Sequence, residues 1–141
     1  MRIAIINGPN LNLIGQREQE IYGSQSLTAF IEQLQSNYPE QEITAYQSNV
    51  EGELINAIQQ AAKESEALII NAGGYSHTSV AIADALRFAH PKPIVEVHIS
   101  NIFSREEYRH HSFVSAVSTA VICGCGLQGY ALAIEFLLKK V

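Results

Sequence analysis

Ala67-Leu-Ile-Ile-Asn71 is an unbroken apolar run that ends in a polar residue. Two further runs share this pattern, Ile3-Ala-Ile-Ile-Asn7 and Pro93-Ile-Val-Glu-Val-His98. Short apolar runs separated by helix-length segments are typical of strands that are buried on both faces of a parallel sheet. Ligands of such sheets bind beyond the carboxyl ends of the strands. The sequence therefore predicts an α/β fold with a site made by the polar residues at these strand ends.

Strand and helix signals alternate along the whole chain. The predicted strands are Ile3–Ile6, Glu42–Gln47, Ala67–Asn71, Pro93–His98 and Thr119–Cys123. The predicted helices are one from Ser26 to before Tyr38, one from Ser48 to about Ser65, one from Ser79 to Ala89, a short one opened by Ser104 and one from Leu127 to Lys139. At 141 residues the chain has the size of one domain, and its crossovers are expected to be right-handed, so we expect residues 1–141 to form one flavodoxin-like domain. Its doubly wound, five-stranded parallel sheet has the order 2-1-3-4-5 and lies between two helical layers.

The predicted helix starts depend on capping residues. Ser48-x-x-Glu51 and Ser104-x-x-Glu107 match the capping box, in which a serine N-cap precedes a glutamate by three residues. Ser26 is the expected cap of the first helix, and either Ser76 or Thr78 is expected to cap the helix that begins at Ser79.

Composition limits the classes of function. The chain has 141 residues, of which 47% are hydrophobic and 16% charged, well below the usual quarter for charged residues. We therefore expect part of the surface to be buried between subunits of a homo-oligomer. The net charge is −5 and the nine basic residues are scattered, which argues against nucleic acid as a partner.

The chain shows no signal of a membrane or secretory protein. Its first apolar run is too short for a signal peptide, and no run is long enough to span a bilayer, so we expect a cytoplasmic protein without a membrane partner. Cys123 and Cys125 are only two residues apart, a spacing at which two cysteines do not easily form a disulfide bridge. We expect both to be reduced thiols.

Two motifs suggest chemistry that the rest of the chain does not support. Gly124-Cys-Gly126-Leu-Gln-Gly129 has the spacing of a dinucleotide fingerprint, but the sequence lacks the second strand and the acidic residue about 20 positions further on that such a site needs. Tight packing at a strand-to-helix turn is the favoured interpretation. The five histidines and two cysteines lack the H-x-x-x-H and C-x-x-C spacings of metal ligands, so no metal site is expected.

His98 is the leading candidate for proton transfer. A single histidine is more often structural than catalytic, but this one lies at the carboxyl end of a predicted strand, next to Ser100. Glu96, two residues earlier, could set its tautomer and raise its basicity. These features favour a proton donor at neutral pH.

The loop after the first strand is long for a compact domain and contains Arg17 and Tyr22 between glycines. An isolated loop tyrosine usually only packs. A nearby guanidinium, however, can lower the pKa of an acid by about 1–3 units, and a lid bounded by glycines can close over a substrate. Tyr22 is therefore a candidate base, with Arg17 as the residue that activates it.

Further polar side chains are expected to form a ring around the predicted site. Asn10 and Asn71 can hold hydroxyls or stabilise an enolate oxygen, although asparagines also simply make turns. His77, Asp84 and Arg109 extend the ring, and Arg109 or the backbone near Ile99 and Ser100 could take a carboxylate. We expect a small, hydroxylated, anionic ligand.

The same residues resemble those of the type II 3-dehydroquinate dehydratases of the shikimate pathway. Six blocks match in the family's order across the whole chain: Asn7-Gly-Pro-Asn-Leu-Asn-Leu-Ile-Gly15, Arg17-Glu18 with Tyr22-Gly23, Asn71-Ala-Gly-Gly74 with His77-Thr-Ser79, Glu96-Val-His-Ile-Ser-Asn101, Arg105-Glu-Glu-Tyr-Arg109-His-His-Ser112 and Gly126-Leu-Gln-Gly-Tyr130. The resemblance implies a flavodoxin-like, cofactor-free enzyme that assembles as twelve chains in a tetramer of trimers.

The resemblance also implies a role for each candidate residue. Tyr22 would take a proton from C2 of 3-dehydroquinate, with Arg17 stabilising its phenolate. Asn10 would stabilise the enolate through a bound water, and His98, supported by Glu96, would protonate the departing C1 hydroxyl in an anti elimination. The implied substrate-holding residues are Asn71, His77, Asp84, Ile99, Ser100 and Arg109, of which Asp84 reaches an adjacent subunit's site in some members.

One position departs from the family pattern, because Gln19 replaces a proline that usually follows Arg-Glu in the loop. Without the fixed φ of proline, we expect a looser open lid and altered closure, not lost activity. Two other classes of function stay open on the residues alone: a flavodoxin-like module that holds a nucleotide or flavin, and a non-catalytic scaffold.

Overall fold

A computed structural model of the chain describes residues 1–16 and 25–140. Its elements in chain order are β1 (Arg2–Asn7), α1 (Leu27–Asn37), β2 (Glu42–Gln47), α2 (Glu51–Glu64), β3 (Ala67–Asn71), α3 (Val80–Phe88), β4 (Ile94–His98), β5 (Ala120–Cys123) and α4 (Gln128–Lys140). Short 3₁₀ turns lie at Leu11–Leu13, Gly73–His77, Ile102–Ser104, Glu107–Arg109 and Ser115–Val117.

The five strands form one parallel sheet in the order β2-β1-β3-β4-β5, which confirms the predicted order. Every residue of β3 and β4 is buried, as their apolar runs require. One core, with Ile5 and Val97 on the sheet, packs under α1 and α4, and a second core, with Ile6 and Ile70, packs under α2 and α3. The sheet therefore lies between two helical layers.

The register of the sheet brings the strand ends to one level. Asn7 of β1 is opposite Asn71 of β3, and Ile70 is opposite Glu96 of β4. β1 and β3 end at Asn7 and Asn71, β4 continues to His98, and each strand then passes into a turn. The polar residues that end the strands consequently lie along one edge of the sheet.

The capping predictions are correct at one helix and wrong at three. Ser26 caps α1, with its Oγ accepting a hydrogen bond from Ala29 N at 3.1 Å. Ser48 is not the cap of α2, because the helix begins at Glu51 after an extended Val50, and Ser48 Oγ instead binds Val50 N and the Glu53 carboxylate.

The cap of α3 is Ser79, and not Ser76 or Thr78. Its Oγ accepts from Ile82 N at 2.9 Å, whereas Ser76 lies inside the preceding 3₁₀ turn.

Ser104 opens no helix. It ends a 3₁₀ turn that Asn101 caps through Phe103 N, and its own hydroxyl donates to Asn101 O. The capping box failed here because the sequence pattern does not distinguish a helix from two successive tight turns.

The glycine-rich motif after β5 is used for packing, as predicted. A Cβ on Gly129 would lie 3.2 Å from Val97 Cγ1, so the glycine lets α4 approach β4 closely. Cys123 and Cys125 are both free thiols. Among the described residues, no helix is long and apolar enough to cross a membrane.

Candidate active site

Two adjoining cavities lie beyond the carboxyl ends of β1, β3 and β4. The inner one, about 40 Å³, is lined by Leu11, Asn71, Gly73, His77, His98, Ile99, Ser100, Ile102, Arg105 and Arg109. The outer one, about 130 Å³, is lined by Pro9, Asn10, Leu11, Leu13, Ile14, Gly74, Arg105 and Arg109. Leu11, Arg105 and Arg109 border both. Seven of the predicted site residues line these two cavities.

Glu96 and His98 form a buried pair in this region. They lie two apart in β4, so both side chains point to the same face of the sheet. His98 Nε2 and Glu96 Oε1 are 2.5 Å apart, and the two side chains are 5% and 0% exposed. The predicted contact between them is confirmed.

Glu96 is held as a carboxylate by three donors. Ser112 Oγ donates to Oε1 at 2.5 Å, and Ser115 Oγ donates to Oε2. Burial alone raises the pKa of Glu96, but the hydrogen bond and charge of His98, together with the two hydroxyls, outweigh burial and bring the pKa below its ordinary 4.5. An ionised Glu96 makes His98 Nε2 the protonated, donating nitrogen, which leaves Nδ1 for a ligand.

His77 lies against His98, with ring centroids 5.9 Å apart and planes 22° from parallel. Its Nδ1 donates to His111 O at 2.8 Å, because a carbonyl oxygen can only accept, so Nε2 is left as an acceptor. Burial lowers the pKa of His77, and the nearby charges of His98 and Arg109 lower it further. A neutral His77 can accept a hydrogen bond from a hydroxyl.

Asn71 is oriented by a tyrosine from α4. Tyr130 Oη accepts from Asn71 Nδ2 at 3.0 Å and donates to Asn7 Oδ1 at 2.6 Å, and all three groups are buried. Asn71 Oδ1 also accepts from Gly73 N at 3.2 Å. Burial raises the pKa of Tyr130, which therefore stays a neutral bridge between the ends of β1 and β3.

Asn10 lines the outer cavity from the turn that follows β1. Its φ is 68°, a left-handed conformation that asparagine tolerates, and its backbone N donates to Asn49 Oδ1 at 2.9 Å. The turn passes very close to β3, because a Cβ on Gly8 would lie 2.3 Å from Ala72 O. Only glycine fits there, which explains Gly8 in the Asn7-Gly-Pro-Asn10 stretch.

Two arginines supply the positive charge of the cavities. Arg109 Nε donates to Glu106 Oε2 at 2.6 Å, and the arginine holds the pKa of Glu106 down to about 2. Arg105 Nη1 donates to Ser100 Oγ at 3.1 Å and borders both cavities. Arg105 has no role in the sequence-based prediction, although it begins the Arg105–Ser112 block that resembles the family.

Asp84 lies apart from this cluster within one chain. It is on the outer side of α3, 63% exposed, and Arg87 Nη1 donates to its Oδ1 at 2.9 Å. Arg17, Tyr22 and Gln19 lie outside the described residues, so the lid and its base stay predictions from the sequence.

A cavity larger than these two lies elsewhere among the described residues. It measures about 480 Å³ and lies between β2 and α2, where Glu53 and Glu64 line it and the described lining residues include no cation. An anionic ligand therefore suits the smaller arginine-lined cavities better. No group of three or more His, Cys, Asp or Glu among residues 1–16 and 25–140 is placed to hold a metal ion.

Several known proteins are similar to this chain in sequence and in fold. The family described as dehydroquinase class II matches residues 1–138. The 3-dehydroquinate dehydratase of Janthinobacterium sp. (strain Marseille) is 51% identical over 143 residues, which cover 99% of this chain and 97% of the relative.

Solved structures agree with this sequence match. The type II dehydroquinase of Butyrivibrio crossotus has a TM-score of 0.94 at 42% identity, covering 98% of this chain and 97% of its own. The type II dehydroquinase of Propionibacterium acnes has a TM-score of 0.93 at 41% identity, covering 98% and 96%. This chain belongs to the class II dehydroquinase family.

Proposed function

We propose that the protein catalyses the dehydration of 3-dehydroquinate to 3-dehydroshikimate in the shikimate pathway, as a type II 3-dehydroquinate dehydratase without a cofactor. The observation that carries the proposal is the buried Glu96–His98 pair beside a cavity lined by two arginines, in a chain of this family. A proton donor next to cationic groups suits the loss of water from a hydroxylated carboxylate.

In the proposed reaction Tyr22, activated by Arg17, removes a proton from C2. The electron pair of the C–H bond forms an enolate whose oxygen is on C3, and Asn10 stabilises it through a water. The enolate then collapses: the C1–C2 double bond forms and the C1 hydroxyl leaves as water after accepting the Nδ1 proton of His98, which acts in its imidazolium form and keeps its Nε2–H bonded to Glu96. Base and acid act on opposite faces, which makes the elimination anti.

The substrate is held by Asn71, His77, Ile99, Ser100 and Arg109 in this proposal. The neutral Nε2 of His77 accepts a hydrogen bond from a ring hydroxyl, and Arg109 pairs with an anionic group of the substrate. Both residues line the inner cavity together with His98.

We further propose that residues 1–141 work as one catalytic domain in a tetramer of trimers. In this assembly Asp84 acts in the site of an adjacent subunit, which fits its position on the outer side of α3. We place the enzyme in the cytoplasm, where a reducing environment favours the free thiols of Cys123 and Cys125.

The direct test is ultraviolet absorbance after mixing the purified protein with 3-dehydroquinate, since elimination creates a conjugated enone. A rise that survives a chelator and borohydride is the expected result, because neither a metal nor an imine takes part. No rise from folded, assembled protein would contradict the proposal and favour a binding module instead.

Tyr22→Phe tests the base, because the phenyl ring keeps the shape and loses the acidic hydroxyl. We expect kcat to fall by at least about 10²-fold, a typical contribution of general acid–base catalysis. Calorimetry with quinate, a carboxylate that lacks the ketone next to C2, should show nearly unchanged binding. Tyr46→Phe, an exposed tyrosine of β2 outside both arginine-lined cavities, is the control and should keep wild-type kcat. Retention of most activity by Tyr22→Phe would exclude Tyr22 as the base.

A further inference from the structure

Two serines between the Glu107–Arg109 turn and β5 contact the buried carboxylate of Glu96. Ser112 Oγ donates to Oε1 at 2.5 Å, and Ser115 Oγ donates to Oε2. His98 Nε2 binds the same Oε1 at 2.5 Å. Each carboxylate oxygen therefore has one serine, and Oε1 also faces His98.

This arrangement prevents rotation of the carboxylate. A carboxylate with a single donor can turn about its Cγ–Cδ bond and exchange its two oxygens. Donors on both oxygens hold one orientation, in which Oε1 stays directed at His98 Nε2. The ring of His98 is then held with Nε2 protonated and with Nδ1 left for the substrate.

We propose that Ser112 and Ser115 are positioning residues for proton delivery, holding the Glu96 carboxylate so that His98 keeps one tautomer and one orientation. The inference rests on the proposed dehydratase function, in which His98 is the acid. Neither serine touches the inner or the outer cavity, so both act through Glu96.

The two serines differ in what else they do. Ser112 Oγ also accepts from Ser115 N at 3.3 Å, so its loss would disturb the turn as well as Glu96. The Ser115 hydroxyl donates to Glu96, and its removal leaves the Ser112 contacts in place. Ser115 is therefore the cleaner position for a test.

The charged groups around Glu96 bear on any pH measurement. His98 faces it from the same strand, and His77 faces it from the Gly73–His77 turn, with Arg109 beside His77. Burial raises the pKa of Glu96, whereas His98 lowers it. The two serine hydroxyls lower this pKa further. Loss of one hydroxyl should therefore raise the pH at which Glu96 takes up a proton.

The experiment compares Ser115→Ala with wild type by steady-state kinetics from acid to alkaline pH. We expect kcat to fall about 10-fold, as for the loss of a hydrogen bond to a charged group, with KM changed less than about twofold. The acid limb of the kcat profile should move to higher pH. Ser115→Thr keeps the hydroxyl and should have the kcat of the wild type, with the acid limb of its kcat profile at the wild-type pH.

Ser118→Ala is the matched control. Ser118 is in the same segment, but its hydroxyl donates to Val114 O at 2.8 Å and makes no contact with Glu96. We expect unchanged kcat and an unchanged pH profile. If Ser115→Ala does not fold, Ser115→Cys keeps the volume with a weaker donor and should show the same changes, smaller in size.

A second readout does not depend on activity. Nitrogen NMR of His98 in the substrate-free enzyme should show the Nε2-protonated tautomer in wild type and a mixture in Ser115→Ala. Wild-type kcat and pH profile in Ser115→Ala, or one tautomer in both proteins, would overturn the proposal. Absence of dehydration by the wild type would contradict the proposed function alone, and the NMR comparison would still decide the role of Ser115.

Discussion

At the scale of single residues, the most informative one is Glu96, a fully buried carboxylate in an apolar strand. An isolated ionised carboxylate is very costly to bury, and it persists only where it is paired and hydrogen-bonded. Here one histidine and two serines supply those bonds. The donors of Glu96 are therefore as necessary to the site as the glutamate itself.

The ionisation of Glu96 should appear in the pH dependence of stability. Its pKa in the folded chain is below the ordinary 4.5 of the unfolded chain. At a pH between the folded and the unfolded pKa, the unfolded chain therefore binds more protons than the folded chain. The stabilisation by Glu96 is thus fully present above about pH 4.5 and is lost as the pH falls through the folded value.

Glu96→Gln measures this contribution. We expect a loss of about 2 kcal/mol in the free energy of unfolding at pH 7, typical of hydrogen bonds to a charged group. The difference in free energy of unfolding between wild type and variant should become smaller as the pH falls below about 4.5, because only the wild type has a carboxylate that takes up a proton. Urea unfolding at constant protein concentration measures both. A gap that stays constant down to pH 3 would show that Glu96 has no lowered pKa.

At the scale of elements, helix α3 shows how a cap is chosen. Ser76, Thr78 and Ser79 all precede the helix, and any of them has a suitable side chain. The chain makes a 3₁₀ turn through His77 before the helix begins, which places Ser79 at the cap position. Ser76 Oγ is then buried without a hydrogen-bond partner among the described residues.

The substitutions Ser79→Ala and Ser76→Ala should consequently change the free energy of unfolding by amounts that differ in sign or size. Loss of the Ser79 cap should lower the free energy of unfolding by about 1 kcal/mol. Loss of the unpaired Ser76 hydroxyl should leave stability unchanged or slightly higher, because a buried polar group without a partner is itself destabilising. Denaturant titration of the two variants checks this. If Ser76→Ala lowered the free energy of unfolding as much as Ser79→Ala does, Ser76 would be the cap.

At the scale of the whole molecule, the outer side of α3 is a described surface with exposed apolar side chains. Val80 and Phe88 are 56% and 64% exposed there, on either side of Asp84 along one helix face. Exposed large apolar side chains in a cluster mark association surfaces. This is the surface that the proposed assembly would cover.

Phe88→Asp should disrupt that assembly. Light scattering on the wild type should give a mass twelve times the 15.5 kDa of one chain, and the variant should give smaller species with reduced activity and unchanged circular dichroism. Val50→Asp, another exposed apolar position at the start of α2, is the control and should keep the full mass. A full-size Phe88→Asp assembly would place the interface on another surface.

The overall fold could be predicted because its signals are local. The apolar run Ala67–Ile70 identifies a buried strand by itself, and the spacing between such runs leaves room for one helix each. The candidate pair Glu96 and His98 could be predicted for the same reason, since residues two apart in a strand share a face. The resemblance of six blocks to one family supplied the substrate and the roles, which no local pattern contains.

Local sequence patterns are enough to predict the strands, the parallel sheet and which strand ends carry reactive side chains, because periodicity and short spacings involve only a few neighbouring residues. The packing of the folded chain was needed to find that Ser112 and Ser115 bind Glu96, that Tyr130 joins Asn7 to Asn71 and that Arg105 lines the cavities. The serines and the tyrosine make contacts that join residues 16 to 123 positions apart. Such contacts form only when separate elements pack, and no pattern within one element specifies them.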